Sequence, residues 1–386
     1  MYPKVKPALA RAWRDLHTVQ FGVTPAQAVV LGPVDTATGS FLGLIDGTRG
    51  MPLLREEARA MGLRDGQADR LVGRLAAAGL IDDSTVGGPA AQEMRARTGT
   101  VERLAPDLGS LSLLRREPGG AMRALAARRA LRVQVRGGGR VGAAVASVLA
   151  GAGVGRVEVL DGGLAEVSDV TPGGLPADAV GRRRTAAAHD LVTASAPGPP
   201  PRAPGPGAGR GGAGPPAVEP GLSLVVVAPR DGLAAYAPDP AGAEDWITTG
   251  IPHLYAGVLE ATGLVGPLVL PGGTGCAGCM ERERVDRDRA WPRMLTQWRA
   301  VHRRGAPACD LALAAAVAGL AAAHALAFLD GELPGSAGAR WEATLPSLEW
   351  RREPVPPHPE CPCGAAAGTE GERAAEPLEA QDTMAG

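Results

Sequence analysis

Apolar and polar positions along this chain follow two different periods, and the order of those periods divides it. Thr18 to Gly22 and Ala28 to Leu31 are short β-prone runs, and Val23-Thr-Pro-Ala-Gln between them reads as the turn of a hairpin. Helical spacing takes over in Thr38 to Ile45, with Phe41, Leu42 and Leu44, then in Met51 to Met61. It is clearest in Asp65 to Ala78, where Ala68, Leu71, Val72, Leu75 and Ala76 fall on one face. Gly79 stops that helix, and Leu80-Ile81-Asp82 can close the unit as a short strand. Strands, three small helices and a terminal strand predict a winged-helix-like domain over residues 1–85. Residues 86–130 are polar and punctuated by Gly and Pro, which predicts a linker with a lead-in helix from Ala121 to Ala130.

The next pattern is a strand, a glycine-rich turn, a helix and a second strand. Leu131 to Val135 is apolar and β-prone, Gly137-x-Gly139-x-x-Gly142 follows, and an Ala/Val/Leu helix runs to about Ala150. Val157 to Leu160 then ends on Asp161. In such a βαβ unit the glycines let the backbone approach a phosphate and the helix N-terminus offers free N–H groups. The acid about 20 residues on can accept a ribose hydroxyl. Glycines that bind nothing, in an Ala/Gly-rich helix, are the alternative. Further strands are expected at Leu222 to Val227 and Leu264 to Leu270, so the region from 131 to 364 should be an α/β, doubly wound sheet.

Leu311 to Leu329 is apolar enough to suggest a membrane span. Alanine dominates it, His324 interrupts it and Asp310 and Asp330 bound it, so a buried crossover helix covering the sheet is expected, with no membrane. Residues 196–221, dense in Pro and Gly, read as a solvated insertion within the fold, and the acidic 365–386 as a disordered tail. Met1 to Leu16 lacks the apolar core of a signal peptide, which places the chain in the cytoplasm as an expectation.

Composition then removes options. A net charge of −1 gives no field for nucleic acid, and the third helix carries the mixed set Asp65, Asp69, Arg70 and Arg74, so no nucleic-acid partner is expected. Lys4 and Lys6 are the only lysines among 40 basic residues, which excludes lysine-amine chemistry beyond the extreme N-terminus. Four of the five cysteines form two close pairs, Cys276-x-x-Cys279 and Cys361-Pro-Cys363. Four thiolates so spaced suit a closed, tetrahedral structural zinc; idle thiols or a redox pair are the alternatives. Cys309 reads as a core thiol and His253 as a structural histidine more than an acid/base. Glu281, Arg282, Glu283 and Arg284 read as mixed-charge surface, and Asp286, Arg287 and Asp288 as a solvated helix start.

Three sets of residues carry a resemblance. HTVQFGV, AVVLGPVD, FLGLIDGTR and LVGRLAAAGLID, in that order, resemble the PqqD-like leader-recognition domains of peptide-modifying enzymes. That likeness implies an extended leader peptide added as a strand at a sheet edge beside the third helix. Glu166-x-Ser168-Asp169 and Gly181-Arg-Arg-Arg184 resemble the ThiF and ubiquitin-activating superfamily, whose pattern is Glu-x-Ser-Asn-Leu-x-Arg-Gln and then Gly-x-x-Lys. Here Asp169 stands at the Asn position, Pro172 at that of the nucleotide-clamping arginine and Arg184 at that of the lysine. The likeness implies a nucleotide site at Gly137, Gly139, Gly142, Asp161 and Arg184, with Asp231 at the place of the magnesium-binding acid.

The third set is GIPHL, GLVGPLVLPGGTGCAGCMERERVDRDRAW and PHPECPCG. It resembles the ThiF-like partner proteins of azoline-forming cyclodehydratases, the leader-peptide-binding proteins of thiazole/oxazole-modified microcin pathways. This implies capture of a precursor leader peptide and delivery of its core to a YcaO-type cyclodehydratase. It also implies zinc held by Cys276, Cys279, Cys361 and Cys363, a possible homodimer, and a nucleotide site whose use of ATP and magnesium the lost clamp puts in doubt. The competing expectation is an ATP-dependent adenylyltransferase that activates a peptide C-terminal carboxylate. An NAD-type oxidoreductase is disfavoured, because no substrate domain with a placed acid/base accompanies the glycine motif.

Overall fold

The computed structural model describes residues 1–83, 85–199, 221–300 and 307–367 and falls into two units, Met1–Arg129 and Ala130–Gly386. Most of the insertion at 196–221 and of the tail at 365–386 lies outside the described residues.

In the first unit β1 (Pro3–Val5) pairs antiparallel with β5 (Ile81–Asp83). β2 (Arg11–Asp15), β3 (Thr18–Phe21) and β4 (Val29–Leu31) form an antiparallel sheet in that order, so β2 and β4 are its edges. Between β4 and β5 in sequence lie α1 (Thr36–Leu42), α2 (Met51–Ala60) and α3 (Gln67–Ala77). Val19, Phe21, Phe41, Leu54, Leu75 and Ile81 are fully or almost fully buried and build one core. β2 escaped the hydrophobic pattern because all five of its residues are exposed, so there is no alternation to read. α1 starts two residues earlier than the apolar spacing suggests, since Asp35 accepts the Thr38 N–H at 2.7 Å and caps it.

Residues 86–130 are not a linker, although the lead-in helix expected from Ala121 to Ala130 is present at Gly120–Arg128. They fold into α4 (Gly88–Arg95), α5 (Thr98–Arg103), α6 (Ala105–Leu114) and α7 (Gly120–Arg128), around a core of Ala91, Met94, Leu104, Leu111 and Leu125. The Pro and Gly that look like loop punctuation mark helix starts: Pro89 and Pro106 sit in first turns, and Gly119 (φ +74°) precedes α7 in the left-handed region. Lys6, 1% exposed, ties this segment to β1 by donating Nζ to the carbonyls of Arg115 at 2.9 Å and Arg116 at 3.4 Å. Those carbonyls lie at the C-terminus of α6, where a cation also meets the negative end of the helix dipole.

The second unit contains β6 (Arg132–Arg136), α8 (Arg140–Gly151), β7 (Arg156–Leu160), α9 (Arg184–Ser195), β8 (Leu224–Val227), α10 (Gly232–Tyr236) and α11 (Glu244–Thr249). It continues with β9 (His253–Leu259), β10 (Thr262–Val269), α12 (Ala277–Arg287), α13 (Trp291–Ala300), α14 (Leu311–Leu329), β11 (Ala339–Thr344) and β12 (Arg351–Pro354). The seven strands run β12-β11-β10-β9-β8-β6-β7. β7, β6, β8 and β9 are parallel, while β9 to β12 are antiparallel, so the sheet is mixed and the doubly wound expectation holds for only half of it. The reversal is made by Glu260 and Ala261, with φ of 50° and 60°, as a two-residue hairpin turn. Neither residue is the Gly or Asn that announces such a turn.

α14 packs on α8, β9 and β10 through Leu313, Ala314, Val317, Ala318, Ala321 and Ala325. By length and composition it could cross a bilayer. It covers the sheet as expected, but it leads to β11, the antiparallel neighbour of β10, and is not a parallel crossover. β9 alternates between the two faces: Leu254, Ala256 and Val258 join the α8–α14 core, and Tyr255 joins the cysteines on the other side.

Candidate functional site

The glycine turn forms as its sequence requires. Gly137 has φ +115°, and a β-carbon there would run into the Ala228 carbonyl; one on Gly142 would run into that of Gly137. Gly139 is the N-cap of α8. Asp161 accepts the N–H of Gly138 at 2.8 Å and of Gly163 at 2.9 Å, and Nη1 of Arg184 at 3.1 Å. Burial opposes its charge, but these three donors outweigh that and hold its carboxyl below the usual range. Gly137, Gly139, Gly142, Asp161 and Arg184 are thus brought to one turn.

Two arginines and three acids close over that turn. Arg184 gives Nε to Asp169 at 2.8 Å and Nη2 to Glu166 at 3.1 Å, in addition to its bond with Asp161. Arg230 gives Nε to Asp169 at 2.7 Å and Nη2 to Glu166 at 2.8 Å. Its Cγ lies 2.7 Å from where a β-carbon of Gly139 would be, so the arginine occupies the backbone surface a phosphate would approach. Arg140 is also engaged, with the carbonyls of Ser168 at 2.6 Å and Cys309 at 2.7 Å. What is left is a cavity of about 180 Å³ lined by Gly139, Arg140, Asp169, Arg230, Pro307 and Cys309 among others. Small-ligand pockets usually occupy ~300–1,000 Å³.

Arg230 has no place in the sequence reading, although it adjoins Asp231, which does. Asp231 is the N-cap of α10, its Oδ1 accepting the Leu233 N–H at 3.0 Å. Pro172 is exposed in a turn closed by Gly174 N to Thr171 O.

The four paired cysteines converge on the opposite face of the sheet. Their sulfurs lie within 4.8 Å of one another, with Cys276 to Cys361 and Cys279 to Cys363 both at 3.6 Å and Cys276 to Cys279 at 3.8 Å. A tetrahedron of Zn–S bonds of about 2.3 Å has edges of about 3.8 Å, so the cluster has the dimensions of a structural zinc site. Cys276 and Cys279 start α12, while Cys361 and Cys363 come from the segment after β12, so a shared cation would staple the two. His358 supports the cluster: its ring nitrogens meet Asp286 at 3.0 Å and the Glu360 N–H at 3.1 Å, and its carbonyl takes the Cys361 N–H. Asp286, expected at a helix start, lies instead in the last turn of α12 and is a partner of the cysteine segment. Cys309 stands apart, beside the glycine turn.

His253 is fully buried between Trp246 and Tyr255, ring centroids 5.3 and 5.5 Å away. Burial lowers its pKa to about 4, and it is a packing residue between two aromatic rings.

A glycine-turn βαβ unit, an antiparallel half-sheet and a four-thiolate cluster define an α/β protein of Rossmann-like fold with a cysteine cluster of zinc-site dimensions. The ThiF family profile matches residues 119–199 and 227–363, more than half of the sequence, and the chain belongs to the ThiF family. The crystal structure of E. coli MccB with MccA-N7isoASN is similar at a TM-score of 0.66 and 15% identity, over 95% of this chain and 100% of that one. E. coli MccB with ATP gives 0.65 and 15%, over 94% and 100%. Selenomethionine PaaA gives 0.63 and 16%, over 92% and 100%. At these identities the likeness is one of fold. No curated protein matches the sequence.

Proposed function

We propose that this protein serves peptide natural-product biosynthesis by binding the leader of a ribosomally made precursor and presenting its core to a YcaO-type cyclodehydratase, without adenylating the peptide itself. The observation that carries the non-catalytic part is the state of the crevice. Arg184 and Arg230 are both spent on Asp161, Glu166 and Asp169, and Asp231 is spent as a helix cap. A triphosphate entering there would displace Arg230 and meet three carboxylates, and removing such cationic stabilisation costs a phosphoryl-type site several kcal/mol.

The binding part is supported by the winged-helix-like first unit and by the solved structures of MccB, which include one in complex with N-formylated MccA. In this chain β4 is a sheet edge with Val30 half-exposed, an arrangement suited to strand addition by an extended peptide. Zinc, held by Cys276, Cys279, Cys361 and Cys363, would be structural, because four thiolates leave no open position for chemistry.

The intact glycine turn favours a second reading, an ATP-dependent adenylyltransferase acting on a peptide C-terminal carboxylate. Precursor-dependent pyrophosphate exchange separates the two. No exchange above the protein-free rate is expected; robust exchange that is lost in Asp231→Ala would establish the enzyme instead.

A further inference from the structure

A second cavity, of about 380 Å³, opens between α12 and the strands β11 and β12. It lies on the sheet face opposite α14, since Trp341, between the cavity residues Arg340 and Glu342, packs toward His324 of α14. Its size is that of a small-ligand pocket.

Arg284, assigned by sequence to a mixed-charge surface, forms one wall. Its guanidinium stacks on Tyr236 at 4.3 Å and on Trp291 at 4.8 Å, and Arg340 stacks on the same Tyr236 ring at 4.6 Å. Both donate to the Tyr236 carbonyl, Arg284 Nη2 at 2.8 Å and Arg340 Nη1 at 3.1 Å. The acids nearby are largely committed: Glu342 accepts Arg340 Nε at 2.6 Å, and Glu283 pairs with Arg287 at 2.8 Å. Arg284 has no carboxylate within ion-pair distance among the described residues. Burial and the adjacent Arg340 lower its pKa to about 10, so it stays charged at neutral pH. A guanidinium has five N–H donors, and the protein takes one of them here.

We propose that this cavity is a binding site for a monocarboxylate with an apolar body, such as the end of a peptide chain, held through Arg284. Two ring faces fix the guanidinium plane, which is what planar, bidentate carboxylate recognition needs. Met280, Val355 and Pro356 supply an apolar lining. Glu283, Glu342 and Glu353 around the same space disfavour a phosphate dianion by like-charge repulsion. The site is independent of the leader-binding reading, because the probes that test it carry no leader.

The test titrates the full chain with N-acetyl-valine, N-acetyl-valinamide and inorganic phosphate, following tryptophan fluorescence, to which Trp291 beneath Arg284 contributes, and heat. Saturable binding of the free acid is expected, with the amide and phosphate at least about tenfold weaker. Arg284→Gln should weaken the acid by about tenfold or more. Pro354→Trp, at the exposed rim, should block binding while leaving metal content and unfolding midpoint unchanged. Equal binding of the amide, tighter binding of phosphate, full affinity in either variant, or no binding up to the millimolar range would each overturn the assignment.

Discussion

Asp169 and Arg184 form a buried ion pair, Nε to Oδ2 at 2.8 Å, with side chains 4% and 5% exposed. At these two positions the superfamily pattern has a neutral amide and a lysine, so an acid and an arginine stand here together and satisfy one another. Arg184 reaches Asp161, Asp169 and Glu166 at once, a span a lysine ammonium cannot reproduce. Asp169→Ala, which strips a shared acceptor from both Arg184 and Arg230, should therefore destabilise the second unit by ~3–5 kcal/mol in chemical denaturation. The double replacement Asp169→Asn with Arg184→Lys should cost less than the sum of its single changes, and strict additivity would show that the pair does not act as a unit.

Removal of metal should act on stability. Purified protein is expected to hold one zinc per chain by elemental analysis, and chelation should lower the unfolding midpoint of the second unit, since the binding energy of a structural zinc is folding energy. Cys363→Ser should reduce the metal content, whereas Cys309→Ser, remote from the cluster, should leave it unchanged.

The stability of the second unit should fall in mild acid. His253 has its pKa lowered to about 4 from 6.5 by burial, so the unfolded chain takes up a proton between those values that the folded one refuses. The contribution is fully present above pH 6.5 and is lost as pH falls toward 4, amounting to roughly 3 kcal/mol from this one residue. His253→Phe, which also removes a buried ring nitrogen without a partner, should flatten that part of the profile; an unchanged slope would assign the acid sensitivity to other groups.

The segment at 86–130 should exchange as folded structure. Lys6→Met leaves the Arg115 and Arg116 carbonyls without their donor, at a cost of ~1–3 kcal/mol. In hydrogen exchange of the whole chain, amides of α4–α7 should lose protection together with β1 and β5. Equal, unprotected rates in both proteins would mean the helices are not anchored there.

Long periodic features were legible in the sequence, and short ones held by tertiary contacts were not. The βαβ unit announces itself because Gly137, Gly142 and Asp161 each meet a local steric or hydrogen-bonding need. The lead-in helix expected from Ala121 to Ala130 is α7, but α4 to α6 are six to ten residues each, too short to show a helical period, and the core they share with α7 is spread from Ala91 to Leu125. The antiparallel half of the sheet hides behind a turn of Glu260 and Ala261, residues that seldom adopt positive φ. Arg284 reads as a surface charge in the sequence, and nothing there marks Arg230. Their roles depend on Glu166 and Asp169, 64 and 61 positions from Arg230, and on Tyr236, 48 positions from Arg284.

Capture of a precursor leader by this protein is tested by calorimetric titration of the full chain with the leader segment of its cognate precursor. Saturable binding is expected that survives removal of the core and weakens by at least about tenfold in Val30→Asp on the β4 edge, a variant whose unfolding free energy stays within ~0.5 kcal/mol of the parent. Absence of leader binding, or binding that requires the core alone, would contradict it.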